Sequence, residues 1–238
     1  MNYDFSAFSG HWPFRCLRKS ALPGAGWGGV MSSLDAIFYN DPREGDAPLL
    51  EALPENWRLA MCLNPRLPWM ESTLREFHTR GVRFGRLYPC IHGYDLNNPA
   101  LLALCDAASE LGMTLIVTAR MEDDRLCWLF KQHPVPVEDC LTLARKYPKV
   151  NFVLSHFYLS ELSACLPLPG NVWSDTVGLC HGLNPVEDLL NAEFPLEKLV
   201  FGSFSPLECT ESHLLNLPDA YKNRILSENG QCLMEVSK

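Results

Sequence analysis

The sequence has no apolar run approaching the ~18 residues that a membrane span requires. At the N-terminus, Met1-Asn2-Tyr3-Asp4, no basic region precedes an apolar one, so no signal peptide is read there. There is no CxxC pair: the closest of the ten cysteines, Cys127 and Cys140, lie 13 residues apart. That spacing argues against metal and redox motifs. Cys105 and Cys140 occupy apolar positions in helix-like patterns and read as reduced core thiols. Basic residues are scarce, with 20 Lys and Arg against 28 Asp and Glu and a net charge of −8. This argues against nucleic acid, an anionic membrane or any other polyanion as partner. No GxSxG elbow, linker or low-complexity tract interrupts the chain. A soluble, cytoplasmic protein is expected.

What is present is a well-populated core. Of 238 residues, 47 % are hydrophobic, and one globule of this size would bury roughly 70–75 % of its unfolded surface. It needs neither disulfide nor metal to hold together, and a single domain over residues 1–238 is expected.

Short β-rich runs alternate with helical ones throughout. Strands are predicted at Tyr3–Phe8, Leu34–Phe38, Arg58–Leu63, Val82–Tyr88, Met113–Thr118, Asn151–Ser155, Asn171–Asp175 and Leu199–Gly202. Several, such as Leu115-Ile116-Val117, are apolar throughout, as suits strands buried on both faces of a parallel sheet. Asn98-Pro99 reads as an N-cap and first helical residue, and Gly112 as the C-terminal stop. Pro136 and Asn184-Pro185 open further helices, and Pro68 starts one that ends at Gly81. A short helix is expected near Leu49–Leu53. Gly24, Gly26 and Gly29 match GxGxxG, but no strand leads into them and no helix follows, so a loop or loose first helix is expected there. Eight strands alternating with helices predict an α/β fold, a (β/α)8 TIM barrel with irregular first helices, in preference to an open doubly wound sheet.

Six segments, in order, carry a family resemblance. They are Asp4–Arg15 with its Ser6-Ala7-Phe8, Val82–Pro89, Phe152–His156, Val172–Thr176, Leu199–Ser203 and Arg224–Asn229. Together they resemble the amidohydrolase-related TIM-barrel proteins over essentially the whole chain. In that family the first strand carries His-x-His and the eighth Gly-Ser-Asp-x-Pro, supplying ligands for a divalent metal that activates water. Here the matching positions are Ser6, Phe8 and Phe204, which offer a weak donor and two side chains without one. His156 alone cannot hold a metal. The resemblance therefore implies a member without a cofactor, similar in this to metal-independent lactone hydrolases that bind carboxylated substrates through arginines and histidines.

Strand ends are where a barrel of this kind works. Arg120, directly after the apolar fifth strand, is read as an anion binder, with Glu122 or Asp123 as its alternative partner. Arg125 is read as a solvated loop charge. His156 is the candidate acid–base residue and Asp175 the carboxylate that holds its imidazole. Tyr88, His92, Tyr94 and Ser203 are candidates for substrate contact. His78, His133 and His213 are read as surface or helix-end residues, and His181 as a loop residue. The expected ligand is a small anionic molecule, and a homo-oligomer is compatible with the sequence. Hydrolysis of a lactone, ester or amide is the first expectation. The alternatives are a non-catalytic ligand-binding or interaction barrel and a carboxy-lyase.

Overall fold

The computed structural model describes residues 1–17, 24–123, 131–180 and 182–237. Its strands are β1 (Asn2–Ser9), β2 (Trp27–Ser33), β3 (Trp57–Leu63), β4 (Phe84–Leu87), β5 (Thr114–Thr118), β6 (Asn151–Ser155), β7 (Val172–Asp175) and β8 (Leu199–Val200). All pair in parallel and in sequence order. Past β8 the chain returns to β1, where Phe5 N–H donates to the Phe201 carbonyl at 2.9 Å and Phe8 N–H to that of Ser205 at 2.8 Å. The Asp4 carboxylate fastens the same seam, accepting from Ser6 N at 3.0 Å and Ser203 N at 3.1 Å. The result is the predicted (β/α)8 barrel.

The helices between strands are α1 (Asp35–Phe38), α2 (Arg43–Ala52), α3 (Met70–Thr79), α4 (Pro89–His92), α5 (Pro99–Leu111), α6 (Val137–Lys146), α7 (Leu159–Ala164) and α8 (Pro185–Asn191). After β8 come α9 (Thr210–Leu215), α10 (Asp219–Asn223) and α11 (Asn229–Val236). The caps of α5 are those predicted: the Asn98 side chain accepts from Ala100 N, and Gly112 is left-handed with φ 65°. Among the described residues, no helix is long and apolar enough to cross a membrane. The described cysteines are free, and Cys62, Cys90, Cys105, Cys140 and Cys165 are buried.

Two local expectations need correction. The second strand is Trp27–Ser33, and the expected strand Leu34–Phe38 is largely the short helix α1. The glycines read as loop are the reason. Gly29 has φ +137°, and a Cβ there would collide with the Asp4 backbone of β1; one on Gly28 would reach the Asn56 carbonyl. Bare backbone lets β2 approach both neighbours. The helix expected at Leu49–Leu53 is α2, which begins earlier, at Arg43, and keeps Pro48 inside it.

Inside the barrel the side chains lie in levels. The lower level is apolar: Phe5, Val30, Ala60, Phe84, Ile116, Val153, Trp173 and Val200 form one buried cluster closed beneath by Leu233 of α11. Two residues further along β2 to β7 the same inward face carries Ser32, Cys62, Arg86, Thr118, Ser155 and Asp175, all buried. In β1 a register shift between Asp4 and Ala7 lets Ser6 join this upper level directly after Phe5. Above it lies a second apolar cluster that includes Phe8, Trp12, Leu34, Tyr88, Val177 and Phe204. A polar level is thus enclosed between two apolar ones.

Candidate functional site

The polar level is organised around Arg86 and Ser6. Arg86 is fully buried; its Nη2 donates to the Phe5 carbonyl at 2.9 Å and to Ser6 Oγ at 2.8 Å. Ser6 Oγ donates in turn to Asp175 Oδ2 at 2.5 Å. Its single proton is then used, so the 3.1 Å contact with Ser155 Oγ is a bond that Ser155 donates. Asp175 Oδ1 accepts from the backbone N–H groups of His156 and Val177 at 3.2 and 3.1 Å. One serine thereby separates a buried cation from a buried carboxylate.

Arg86 is incompletely satisfied. Its Nε and Nη1 have no hydrogen-bond partner, and neither do the buried Ser32, Tyr88 and Thr118 hydroxyls. Burial pulls the guanidinium pKa down, while attraction to Tyr88, Asp175 and Asp4 holds it up. Buried donors without acceptors are rare in a folded protein and mark a place for water or a ligand. Asp46 of α2 borders this level, accepting from Cys62 N at 2.7 Å, and burial lifts its carboxyl pKa to about 8.

Aromatic rings cover the polar level. The Arg86 guanidinium lies 4.8 Å from the centre of Phe8, Phe8 meets Phe204 edge-on at 5.0 Å, and Phe204 meets His156 edge-on at 4.7 Å. Phe8 and Phe204 occupy two of the positions where the family resemblance calls for metal ligands. Neither has a donor atom, and Ser6, at the third, is committed to Asp175 and Arg86. Among the described residues no group of three or more His, Cys, Asp or Glu side chains could hold a metal ion. Ser6, Phe8 and Phe204 as placed here do not make a ligand set for a divalent metal. Trp12 closes the top: its Nε1 donates to Glu122 at 2.8 Å, and Arg15 Nε donates to the same oxygen at 2.9 Å.

His156 sits at the end of β6 in the left-handed region, with φ 59°, and Phe204, against it, has φ 55°. Two strained non-glycine residues in contact mark a position fixed by its surroundings. Burial lowers the imidazole pKa to about 4; Glu208 opposes the shift and Arg120 adds to it. Nδ1 has no hydrogen-bond partner, and Nε2 faces Glu208 at 3.8 Å. The other Glu208 oxygen lies 2.7 Å from His213 Nε2. Glu208 and His213 were not sequence candidates, and His213 is buried although it stands in the last turn of α9.

Arg120 is buried and paired, by neither Glu122 nor Asp123 but by Glu161 of α7, in a fork with bonds of 2.8 and 2.7 Å. It also donates to the His156 carbonyl at 2.7 Å and lies over the Tyr158 ring at 3.9 Å. It therefore reaches His156 by the backbone, as Asp175 does; the predicted Asp175–imidazole bond is a bond to the His156 N–H. Tyr88 meets His92 edge-on at 5.9 Å, His92 stacks on Tyr94 at 6.3 Å, and His92 Nε2 contacts the Ile37 carbonyl at 3.0 Å. Ser203 Oγ accepts from Ser205 N at 3.0 Å, within the β8 turn. Arg125 and His181 lie outside the described residues. Arg86 carried a detectable signal: in Phe84-Arg86-Tyr88, strand alternation puts a charge on an otherwise apolar inward face.

Similar folds are widespread. An uncharacterised TIM-barrel protein from Bordetella bronchiseptica superposes with a TM-score of 0.68 at 16 % identity, over 90 % of this chain and 79 % of that one. A 2,6-dihydroxybenzoate decarboxylase from Rhizobium gives 0.65 at 14 %, over 90 % and 85 %. A probable 2-pyrone-4,6-dicarboxylic acid hydrolase from Acinetobacter baumannii, with citric acid bound, gives 0.65 at 13 %, over 98 % and 99 %. At such identities the likeness establishes the fold alone. No curated protein matches the sequence. The sequence itself matches the Amidohydro_2 family model, described as amidohydrolase, over residues 36–229, from α1 through the strand ends to the first residue of α11. The chain belongs to the amidohydrolase family.

Proposed function

We propose that this barrel binds a small carboxylate at Arg86 and hydrolyses a lactone, ester or amide bond in it without a metal. The observation that carries the reading is the buried guanidinium with Nε and Nη1 unpaired among hydroxyls that also lack partners. A carboxylate oxygen can accept a charge-assisted hydrogen bond from either free donor. Arg86 is chosen over Arg120 because Glu161 already neutralises Arg120. The hydrolase and decarboxylase of similar fold are both named for carboxylated compounds, which agrees with an anionic ligand.

In this mechanism His156 is neutral at pH 7 and its Nδ1 lone pair takes a proton from the attacking water. The water oxygen bonds to the carbonyl carbon, the bond to the leaving group breaks, and the proton passes to the leaving oxygen or nitrogen. Glu208, with His213 behind it, steadies the transient imidazolium. Asp175 and Arg120 hold the His156 backbone in place.

A second reading, a barrel that binds without reacting, is favoured by one feature. Phe8 and Phe204 run in series between Arg86 and His156, so a ligand touching both must move those rings aside. Calorimetric titration with small carboxylates, alongside product analysis on carboxylated lactones, esters and amides, separates the readings. Arg86→Met should weaken binding about tenfold to a hundredfold, and His156→Gln should abolish turnover while binding persists. Binding with no turnover by wild type selects the second reading, and released CO2 selects a carboxy-lyase. Carboxylate affinity unchanged in Arg86→Met sinks both readings.

A further inference from the structure

At the opposite end of the barrel, below the apolar level, lies a cavity of about 400 Å³. Its walls include Arg58, near the start of β3, and Arg83, just before β4, adjacent strands paired through Ala60 and Phe84. Both guanidiniums are fixed in the same manner. Arg58 Nη1 donates to the carbonyls of Glu55 and Trp57 at 2.7 and 2.9 Å, and Arg83 Nη1 to those of His78 and Val82 at 3.0 and 3.1 Å. Neither has an ion-pair partner among the described residues. Among the described residues the lining holds one carboxylate, Glu235, which accepts from Gln231 at 3.0 Å.

Other described arginines behave differently. Arg43 and Arg75 are each paired to carboxylates. Arg58 and Arg83 instead spend their Nη1 protons on backbone carbonyls, which hold each side chain in one position and leave its charge uncancelled. Two such forks on one cavity suit an oxoanion with two charges. Tyr3, Phe84 and Met234 give the wall an apolar part, beside the polar Asn56, Gln231, Glu235 and Ser237, and the volume exceeds that of a bare oxoanion.

We propose that this cavity is a second ligand site, separate from the strand-end site, that takes a phosphate monoester of a small organic molecule. The phosphoryl group lies against Arg58 and Arg83, and the organic part covers Tyr3, Phe84 and Met234.

Phenyl phosphate is the probe, with inorganic phosphate and benzoate for comparison, titrated by calorimetry into wild type, Arg58→Gln/Arg83→Gln, Arg58→Lys/Arg83→Lys and Arg86→Met. Wild type should bind phenyl phosphate saturably and more tightly than inorganic phosphate, with affinity falling as salt rises. The glutamine pair should lose about tenfold or more, and the lysine pair, which keeps charge but not the fork, should fall between. Arg86→Met should bind phenyl phosphate as wild type does. Thermal melts establish that each variant is folded. Absent saturable binding by wild type, affinity unchanged in the glutamine pair, or loss in Arg86→Met alone would each overturn the proposal.

Discussion

At the lower level of the barrel Phe5, Phe84 and Trp173 fill the interior, and every inward side chain there is apolar. Two residues along β4 and β7 the same inward line carries Arg86 and Asp175, with unpaired donors between well-packed layers. Burial is equally complete at both levels, although the upper one includes the β1 register shift. The chemistry differs most. The lower level gains from removing carbon from water, whereas the upper level bears the cost of desolvating charge and is warranted by what it can bind.

The largest test of that contrast is stability. Phe5→Ala should cost about 3–5 kcal/mol in denaturant unfolding, because it leaves a void in the packed level. Arg86→Met removes a desolvated cation with two unpaired donors and should cost less than half as much, while ligand affinity falls. Equal losses would show that the polar level is also framework.

The next effect is a pH dependence. The His156 pKa is about 4 in the fold and about 6.5 in the unfolded chain. Between those values the unfolded chain binds the extra proton, so this contribution to stability is complete above about pH 6.5. It is lost progressively as pH falls toward 4, by about 3 kcal/mol in all. Urea unfolding at a series of pH values should show this slope in wild type, and His156→Gln should flatten it. A slope unchanged in the variant would assign the acid sensitivity elsewhere.

The smallest effect belongs to Tyr88. Its hydroxyl is buried against Ser32 and Arg86. Tyr88→Phe should change stability by about 1 kcal/mol at most, since only weak contacts of the hydroxyl with Ser32 and Arg86 are lost. Carboxylate affinity, read by the same titration as for Arg86→Met, should still fall measurably. Unaltered affinity would confine the ligand to Arg86 and the serines.

The architecture was legible because local signals repeat: apolar runs of strand length, Asn98-Pro99 ahead of α5, and Gly112 behind it. β2 was misplaced because its glycines answer to β1 and to Asn56, neighbours that no local pattern names. The site was legible only in part. His156 and Asp175 stand at strand ends, where position alone marks them. The partner of Arg120 lies 41 residues away on α7, and Glu208 reaches His156 from beyond β8. Arg86 was visible as a charge in an apolar alternation, but its missing partners follow from the closing of the ring.

The irregularity in β1 has an arithmetic consequence. Strands count in twos, and one extra residue changes parity for everything after it. Phe5 and Ser6 both turn inward, Ala7 then packs outward with Met31 and Trp57, and Phe8 returns to the interior. Strict alternation through the same residues would instead draw Ala7 inside and send Ser6 and Phe8 out together, whereas deleting one residue at the shift would leave Ala7 outside and Phe8 inside. The serine that links Arg86 to Asp175 and the ring that covers Arg86 therefore share one off-by-one step in the chain.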